Sequence, residues 1–403
     1  MIYLDYQATT PLAPEAAAAM QPWLERFANP HSAHRLGREA AAAVEVAREQ
    51  VLGALIASDA PPTAPRSSRA KSRGVSETGG ASDAPAQQTG GALFFTSGAT
   101  EAANWALKGA AFRLSPGRRR IVTLATEHAC VLDSLAWLAG QGFEVDTVSV
   151  QADGLVDLAL LESRVGADTG LVAAMLVNNE IGVVQPIARI GEIARARGAL
   201  LFCDAVQGFG RVALPIHACD LVALSAHKVH GPKGIGALWV RDGVALDPLL
   251  HGGGQEGGIR SGTLSPALCA GFGAAARLLA ARADEDAAHV ARLWSAAMAQ
   301  LDGRWVLNGT AGQRYRGNIN LRRDGLDSAR LISECREIAF SSGSACASGS
   351  GRPSHVLAAL GLDDRQARSS IRLGFGRDTK EEDLVRALHL IAAAARRQEN
   401  VAA

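Results

Sequence analysis

The chain is expected to fold as an α/β protein, a mainly parallel seven-stranded sheet flanked by helices, followed by a smaller α+β domain. Three observations carry that expectation. Seven short apolar runs recur from about residue 92: "ALFFTSG", "IVTLAT", "FEVDTVSV", "LVAAMLVNN", "ALLFCDA", "DLVALSA" and "GIGALWV". Amphipathic stretches such as "PIARIGEIARARG" lie between several of them, and strands that alternate with helices build parallel sheets covered on both faces. The chain has 403 residues, of which 48% are hydrophobic and 20% charged, enough for two globular domains with substantial cores.

Taken in order, the N-terminal "MIYLDYQATTP" lacks the basic and apolar regions of a secretion signal, and no apolar run approaches the ~18 residues of a membrane span. A cytoplasmic protein is expected. Residues 59–91 hold Val75 as their single large aliphatic residue and have no aromatic among Pro, Ser, Gly, Ala and mixed charge. Such a stretch buries too little apolar area to order itself and is expected to be a flexible surface insertion. The large domain is expected over 14–261. From about residue 262, helices mix with short strands ("NINL", "IAFSSG", "SIRLGF"). Residues 262–403, with 1–13, are therefore assigned to a small domain that carries the loop 341–353.

Charge excludes some partners. The 41 Lys+Arg face 40 Asp+Glu, a formal net charge of +1, so no overall field points to nucleic acid or an anionic membrane. The six cysteines show no C-x-x-C pair, so neither a disulfide framework nor a metal site is expected. Five of them sit among apolar residues and read as small buried hydrophobes. Cys346 lies instead in "SSGSACASGSGRPSHV", a Ser/Gly run that cannot pack a core.

In parallel sheets ligands collect at the carboxyl ends of strands. Those ends read "TSGATEAAN", "TEHAC", "VNNEIG", "CDAVQ" and "SAHKVHGPKG". "SGAT" before a helix suits a phosphate at a helix N-terminus, with the Thr100 hydroxyl beside it, and equally an ordinary N-cap. Lys228 is one of only five lysines among 36 arginines. A lysine at a buried strand end suits Schiff-base chemistry that a guanidinium cannot perform, and a structural salt bridge equally. Asp204 ends an apolar strand, where its carboxylate needs a partner: a protonated ring nitrogen, or the next helix as a cap. Gln207 follows one helical step on, and His128 could stack on a flat ring or shuttle a proton. Together, a Schiff-base lysine, a carboxylate for a pyridinium nitrogen, a phosphate cup and a stacking imidazole describe a pyridoxal 5′-phosphate site.

At this point the sequence closely resembles the cysteine desulfurases, in the class V aminotransferase group of fold type I pyridoxal-phosphate enzymes. The resemblance rests on "IYLDYQATTP", "NPHSAHRLG", "FTSGATEAAN", "TEH", "VNNEIGVVQPI", "DAVQ", "SAHKVHGPKGIGAL", "HGGG", "RSGT", "SSGSACAS" and "SIRLGFGR". It implies that Lys228 bonds the cofactor covalently, Asp204 partners the pyridine nitrogen and Gln207 bonds the ring oxygen. His128 would stack on the ring and act in proton transfer. Asn179 would lie near cofactor and substrate. Ala99 through its backbone, Thr100, Ser225 and His227 would hold the phosphate, joined by Thr263 from the second subunit of a homodimer. Arg372 would bind the substrate carboxylate, although the residues alone read it as surface.

The implied reaction converts L-cysteine to L-alanine and leaves the sulfur as a persulfide on Cys346, for transfer to an acceptor protein in iron–sulfur or other sulfur-containing biosynthesis. An exposed Gly/Ser loop gives that thiol reach. Relatives on the same fold, a selenocysteine lyase or another lyase or aminotransferase, share fold and cofactor, as would a non-catalytic sulfur-relay homologue. Two departures stand out: Gly257 where the family commonly has Arg, and Val206 where Thr is usual. Set against the resemblance, the chain is also expected to lack the extended tail with which housekeeping members dock the iron–sulfur scaffold.

Overall fold

The computed structural model describes residues 1–59, 90–343 and 354–402. Cys346, and nearly all of the insertion expected at 59–91, lie outside the described residues. A short strand β1 (Ile2–Tyr3) and helices α1 (Pro14–Glu25) and α2 (Arg35–Ala57) precede the main sheet. Its first strand is β2 (Gly91–Thr96), followed by α3 (Ala99–Ala111), β3 (Arg120–Leu124), α4 (Ala129–Gly140), β4 (Glu144–Val148), α5 (Leu158–Arg164) and β5 (Thr169–Met175). Then come α6 (Ile187–Ala196), β6 (Leu200–Asp204), β7 (Leu221–Ser225) and β8 (Gly236–Arg241). All seven apolar runs are strands of this sheet.

The strand order is β2-β8-β7-β6-β5-β3-β4. β8 is antiparallel to both neighbours, and the other pairings are parallel. The reason is local. Only residues 226–235 connect β7 to β8, and a parallel crossover needs roughly a dozen or more residues. The chain therefore returns as a hairpin, which brings Gly236 back to the edge where its parallel neighbours end.

Both faces of the sheet are covered. Along β3, β5 and β6 successive residues alternate between two cores: Val122, Val172 and Leu201 face one, and Ile121, Leu171 and Phe202 the other. Burying each such side chain contributes about 1.5–3 kcal/mol. This is why the runs are apolar throughout rather than alternating.

Beyond the sheet lie α7 (Pro266–Met298), β9 (Val306–Leu307), β10 (Asn318–Arg322), α8 (Ser328–Glu334), β11 (Ile338–Ala339) and β12 (Ser341–Ser342). The last elements are α9 (His355–Ala359), α10 (Asp364–Arg368), β13 (Ser370–Gly374) and α11 (Glu381–Ala402). A four-stranded antiparallel sheet runs β12-β13-β10-β9, and β1 pairs with β11. Ser265 caps α7, with Pro266 in its first turn, a common helix start. α7 serves two cores: Cys269, Phe272 and Leu279 pack with the main sheet, and Val290, Leu293 and Ala297 with the small one. Among the described residues no helix is long and apolar enough to cross a membrane.

Candidate active site

A cavity of about 640 Å³ opens where the parallel strands end. Asp204 is the last residue of β6 and Ser225 the last of β7. Lys228 ends the single 3-10 turn that follows β7. His128 is the N-cap of α4, and Gly98 that of α3. Polar side chains are thus delivered where the apolar runs stop.

Lys228 Nζ donates to the carbonyl oxygens of Gln7 at 2.6 Å and Ala8 at 2.8 Å. The N-terminal segment therefore forms one wall, which Gln7, Ala8 and Thr9 line. The Gln7 carbonyl also accepts from Gln207 Nε2 at 2.9 Å. The sequence signalled nothing of these backbone acceptors, because "YQATT" has no apolar period and any residue supplies a carbonyl.

Asp204 is 6% exposed. Its Oδ1 accepts the Val206 N–H at 3.0 Å, and it forms no ion pair among the described residues. Burial pushes its carboxyl above the usual range, opposed by the charges of His128 and Lys228. Beside it lies Glu127, fully buried, with Oε1 accepting the Met175 N–H at 2.8 Å and Oε2 without a hydrogen-bond partner among the described residues. Burial holds the Glu127 carboxyl well above its ordinary value, and the charge of Asp204 adds to the shift. Glu127 stands in the "TEHAC" strand end, yet no pattern of residues marks a buried, neutral acid there.

His128 Nδ1 accepts the Cys130 N–H at 3.1 Å. In the neutral ring the proton therefore sits on Nε2. Burial lowers the His128 pKa, outweighing the charge of Asp204, so the ring is neutral near pH 7. Cys130 corrects the expectation that five cysteines are small buried hydrophobes: it is half-buried, lines the cavity and places Sγ 3.1 Å from His128 Nδ1. The α4 cap turns it toward the cavity.

Ala99 and Thr100 open α3 and line the cavity. No side chain caps this helix, so "SGAT" is not an ordinary side-chain N-cap. A Cβ at Gly236 would lie 2.7 Å from the Gly98 carbonyl carbon and 2.6 Å from the Leu224 oxygen, so β8 can pass the α3 entrance only as glycine. Ser225 and His227 complete this wall. His227 Nδ1 lies 3.2 Å from Thr9 Oγ1. Its pKa is lowered to about 4, first by burial and then by the charges of Lys228 and Lys233.

Arg372, on β13, is 1% exposed, which corrects its reading as a surface residue. It donates to the Asn179 carbonyl oxygen at 3.1 Å and to Asp5 Oδ1 at 2.8 Å, and its Nε is buried without a partner among the described residues. Such a charge is tolerated inside only where it is paired, and Asp5 supplies the pair. Asn179 and Gln207 line the cavity. Thr263 does not: it is exposed, outside the cavity of its own chain. Among the described residues no cluster of His, Cys, Asp and Glu could hold a metal ion.

The chain matches the family "Aminotransferase class-V" over residues 2–62 and 87–387. The gap, 63–86, falls within the stretch read as an insertion. A cysteine desulfurase IscS of Rickettsia bellii is 40% identical over 399 residues, covering 97% of this chain and 90% of that protein. The cysteine desulfurase IscS of Rickettsia africae matches to the same extent. Among solved structures, a NifS-like protein superposes with TM-score 0.83 at 30% identity, covering 97% of this chain and 98% of the other. One solved as "SspA in complex with cysteine" gives TM-score 0.74 at 31% identity, over 93% and 99%. With strand ends, cavity and relatives in agreement, the chain belongs to the class V aminotransferase family and, within it, to the cysteine desulfurases.

Proposed function

We propose that the chain is a pyridoxal 5′-phosphate-dependent L-cysteine desulfurase that loads the substrate sulfur onto Cys346 as a persulfide. The observation that carries this reading is a single cavity that gathers Lys228, Asp204, His128 and the uncapped start of α3. The residues fit the cofactor: Asp204 is a buried carboxylate without an ion pair among the described residues, and Gly236 keeps the α3 entrance open. When bound, pyridoxal 5′-phosphate supplies an electron sink for the carbon bearing the substrate amine.

Each residue then has a task. Lys228 would hold the cofactor through its amine and afterwards carry protons at Nζ, with the Gln7 and Ala8 carbonyls receiving its N–H groups. Asp204 would keep a proton on the ring nitrogen, and Gln207 would donate to the ring oxygen. His128 would stack on the ring and bring its Nε2–H to proton transfer. The α3 N-terminus, Thr100, Ser225 and His227 would hold the phosphate, with Thr263 of the partner subunit in a homodimer. Arg372, oriented by Asp5 and the Asn179 carbonyl, would grip the substrate carboxylate in the cavity that it lines.

Cys346 lies outside the described residues, and its proposed role rests on the resemblance of "SSGSACAS" to the family motif. Its thiolate attacks the substrate sulfur, the carbon–sulfur bond breaks, alanine leaves after protonation at its β-carbon, and the sulfur remains on Cys346. An acceptor protein then takes it for iron–sulfur or other sulfur-containing products. Among the described residues no cysteine is disulfide-bonded to another, in keeping with the proposed cytoplasmic location. The proposal keeps the expected domain division near residue 262, and α7 packs with both cores.

Uptake of pyridoxal 5′-phosphate tests the reading. Wild type should turn yellow with the cofactor, and Lys228→Ala should lose the colour and about 10³-fold of its alanine formation. A wild type that stays colourless would reject the cofactor assignment.

A further inference from the structure

Behind Lys228 and Gln207 stands an arginine for which the reaction as described has no use. Arg211 Nη1 donates to Gln207 Oε1 at 2.9 Å and, more distantly, to the Gln207 carbonyl oxygen at 3.4 Å. Its other terminal nitrogen donates to the Lys228 carbonyl oxygen. The guanidinium carbon lies 5.3 Å from the centroid of the Tyr315 ring. Arg211 also lines a second, smaller cavity with Tyr6, His230 and Tyr315, so it stands between that space and the candidate active site.

This half-buried guanidinium forms no ion pair among the described residues. Its donors go to neutral oxygens on the two segments that carry Gln207 and Lys228. That matters most for Gln207. A primary amide has an acceptor end and a donor end, and which end faces the cavity decides what it can bind. Arg211 can only donate, so it selects the oxygen; the Gln7 carbonyl can only accept, so it selects the NH₂ group. Two independent neighbours impose the same orientation. It leaves the second amide N–H for a ligand oxygen in the cavity that Gln207 lines.

We propose that Arg211 is a positioning residue that locks the Gln207 amide as a hydrogen-bond donor to the cofactor and ties it to the backbone of Lys228. The proposal rests on the cofactor reading above and deepens it. Without Arg211 the amide loses its oxygen partner, and the Gln7 carbonyl alone opposes a rotation that would turn an acceptor toward the ligand oxygen.

The test is a double-mutant cycle read on cofactor binding rather than on turnover. Dissociation constants for pyridoxal 5′-phosphate and the position of the visible band are measured for wild type, Arg211→Met, Gln207→Ala and the double variant. Arg211→Gln is carried in parallel, so that poor folding of the Met variant does not end the test, and thermal melts of the apo chains verify the fold. In the wild-type background Arg211→Met should weaken binding about tenfold, one hydrogen bond to a charged or polar acceptor, and move the band. In the Gln207→Ala background it should weaken binding by less than about twofold. Arg211→Lys, still a donor-only cation, should restore wild-type binding to within about threefold. Equal losses in both backgrounds, or no loss in either, would overturn the proposal. A wild type that takes up no cofactor would overturn the underlying reading instead.

Discussion

Glu127 is a buried carboxyl whose state departs from its ordinary one. Its folded pKa lies well above the ordinary value of 4.5, chiefly through burial. As pH rises from 4.5, the unfolded chain gives up the Glu127 proton while the folded chain keeps it, so this group's contribution to stability declines with rising pH. Glu127→Gln removes that decline and retains an oxygen for the Met175 N–H. The urea midpoint of the variant relative to wild type should therefore shift in the variant's favour from pH 5 to pH 8; a constant difference would mean that Glu127 is charged when folded. The sequence showed Asp204, His128 and Lys228 because each is polar where an apolar run stops. It did not show Glu127, Cys130 or Arg211, whose parts depend on an orphaned oxygen, a cap geometry and a pair of carbonyls. Arg372 was legible only through resemblance, since nothing local distinguishes it from 35 other arginines.

The elements explain why the cup lies where it does. β8 runs against its neighbours and starts at the edge where they end, pressing Gly236 onto the Gly98 backbone. Gly236→Ala should push the α3 entrance aside at a cost of about 1–3 kcal/mol. Binding of pyridoxal 5′-phosphate should weaken by tenfold or more, while pyridoxal, which lacks the phosphate, should bind nearly as in wild type. Equal losses for both ligands, measured by equilibrium titration, would place the phosphate elsewhere. The apolar runs announced the strands, because burial on both faces leaves a composition to read. The reversal of β8 follows from the length of one connection and could be counted but not seen as a pattern. The N-terminal wall could not be read at all, since carbonyls leave no trace in composition.

At the scale of the whole molecule, the cavity draws on both sheets: Asp204 ends a strand of the large sheet, Lys228 follows one, and Arg372 belongs to the small sheet. A ligand that binds only the folded chain stabilises it by about 2.7 kcal/mol at a hundred times its dissociation constant. Saturating pyridoxal 5′-phosphate should therefore raise the unfolding free energy of wild type by that order, seen as a higher unfolding midpoint. Lys228→Ala should lose most of the gain, and an unchanged wild-type midpoint would show that the cavity does not take the cofactor. The central claim is sulfur transfer through Cys346, and alanine release from L-cysteine in the presence of a reducing thiol tests it most directly. Wild type should release alanine, and Cys346→Ser should keep the yellow colour and release almost none; equal release from both would contradict a persulfide on Cys346.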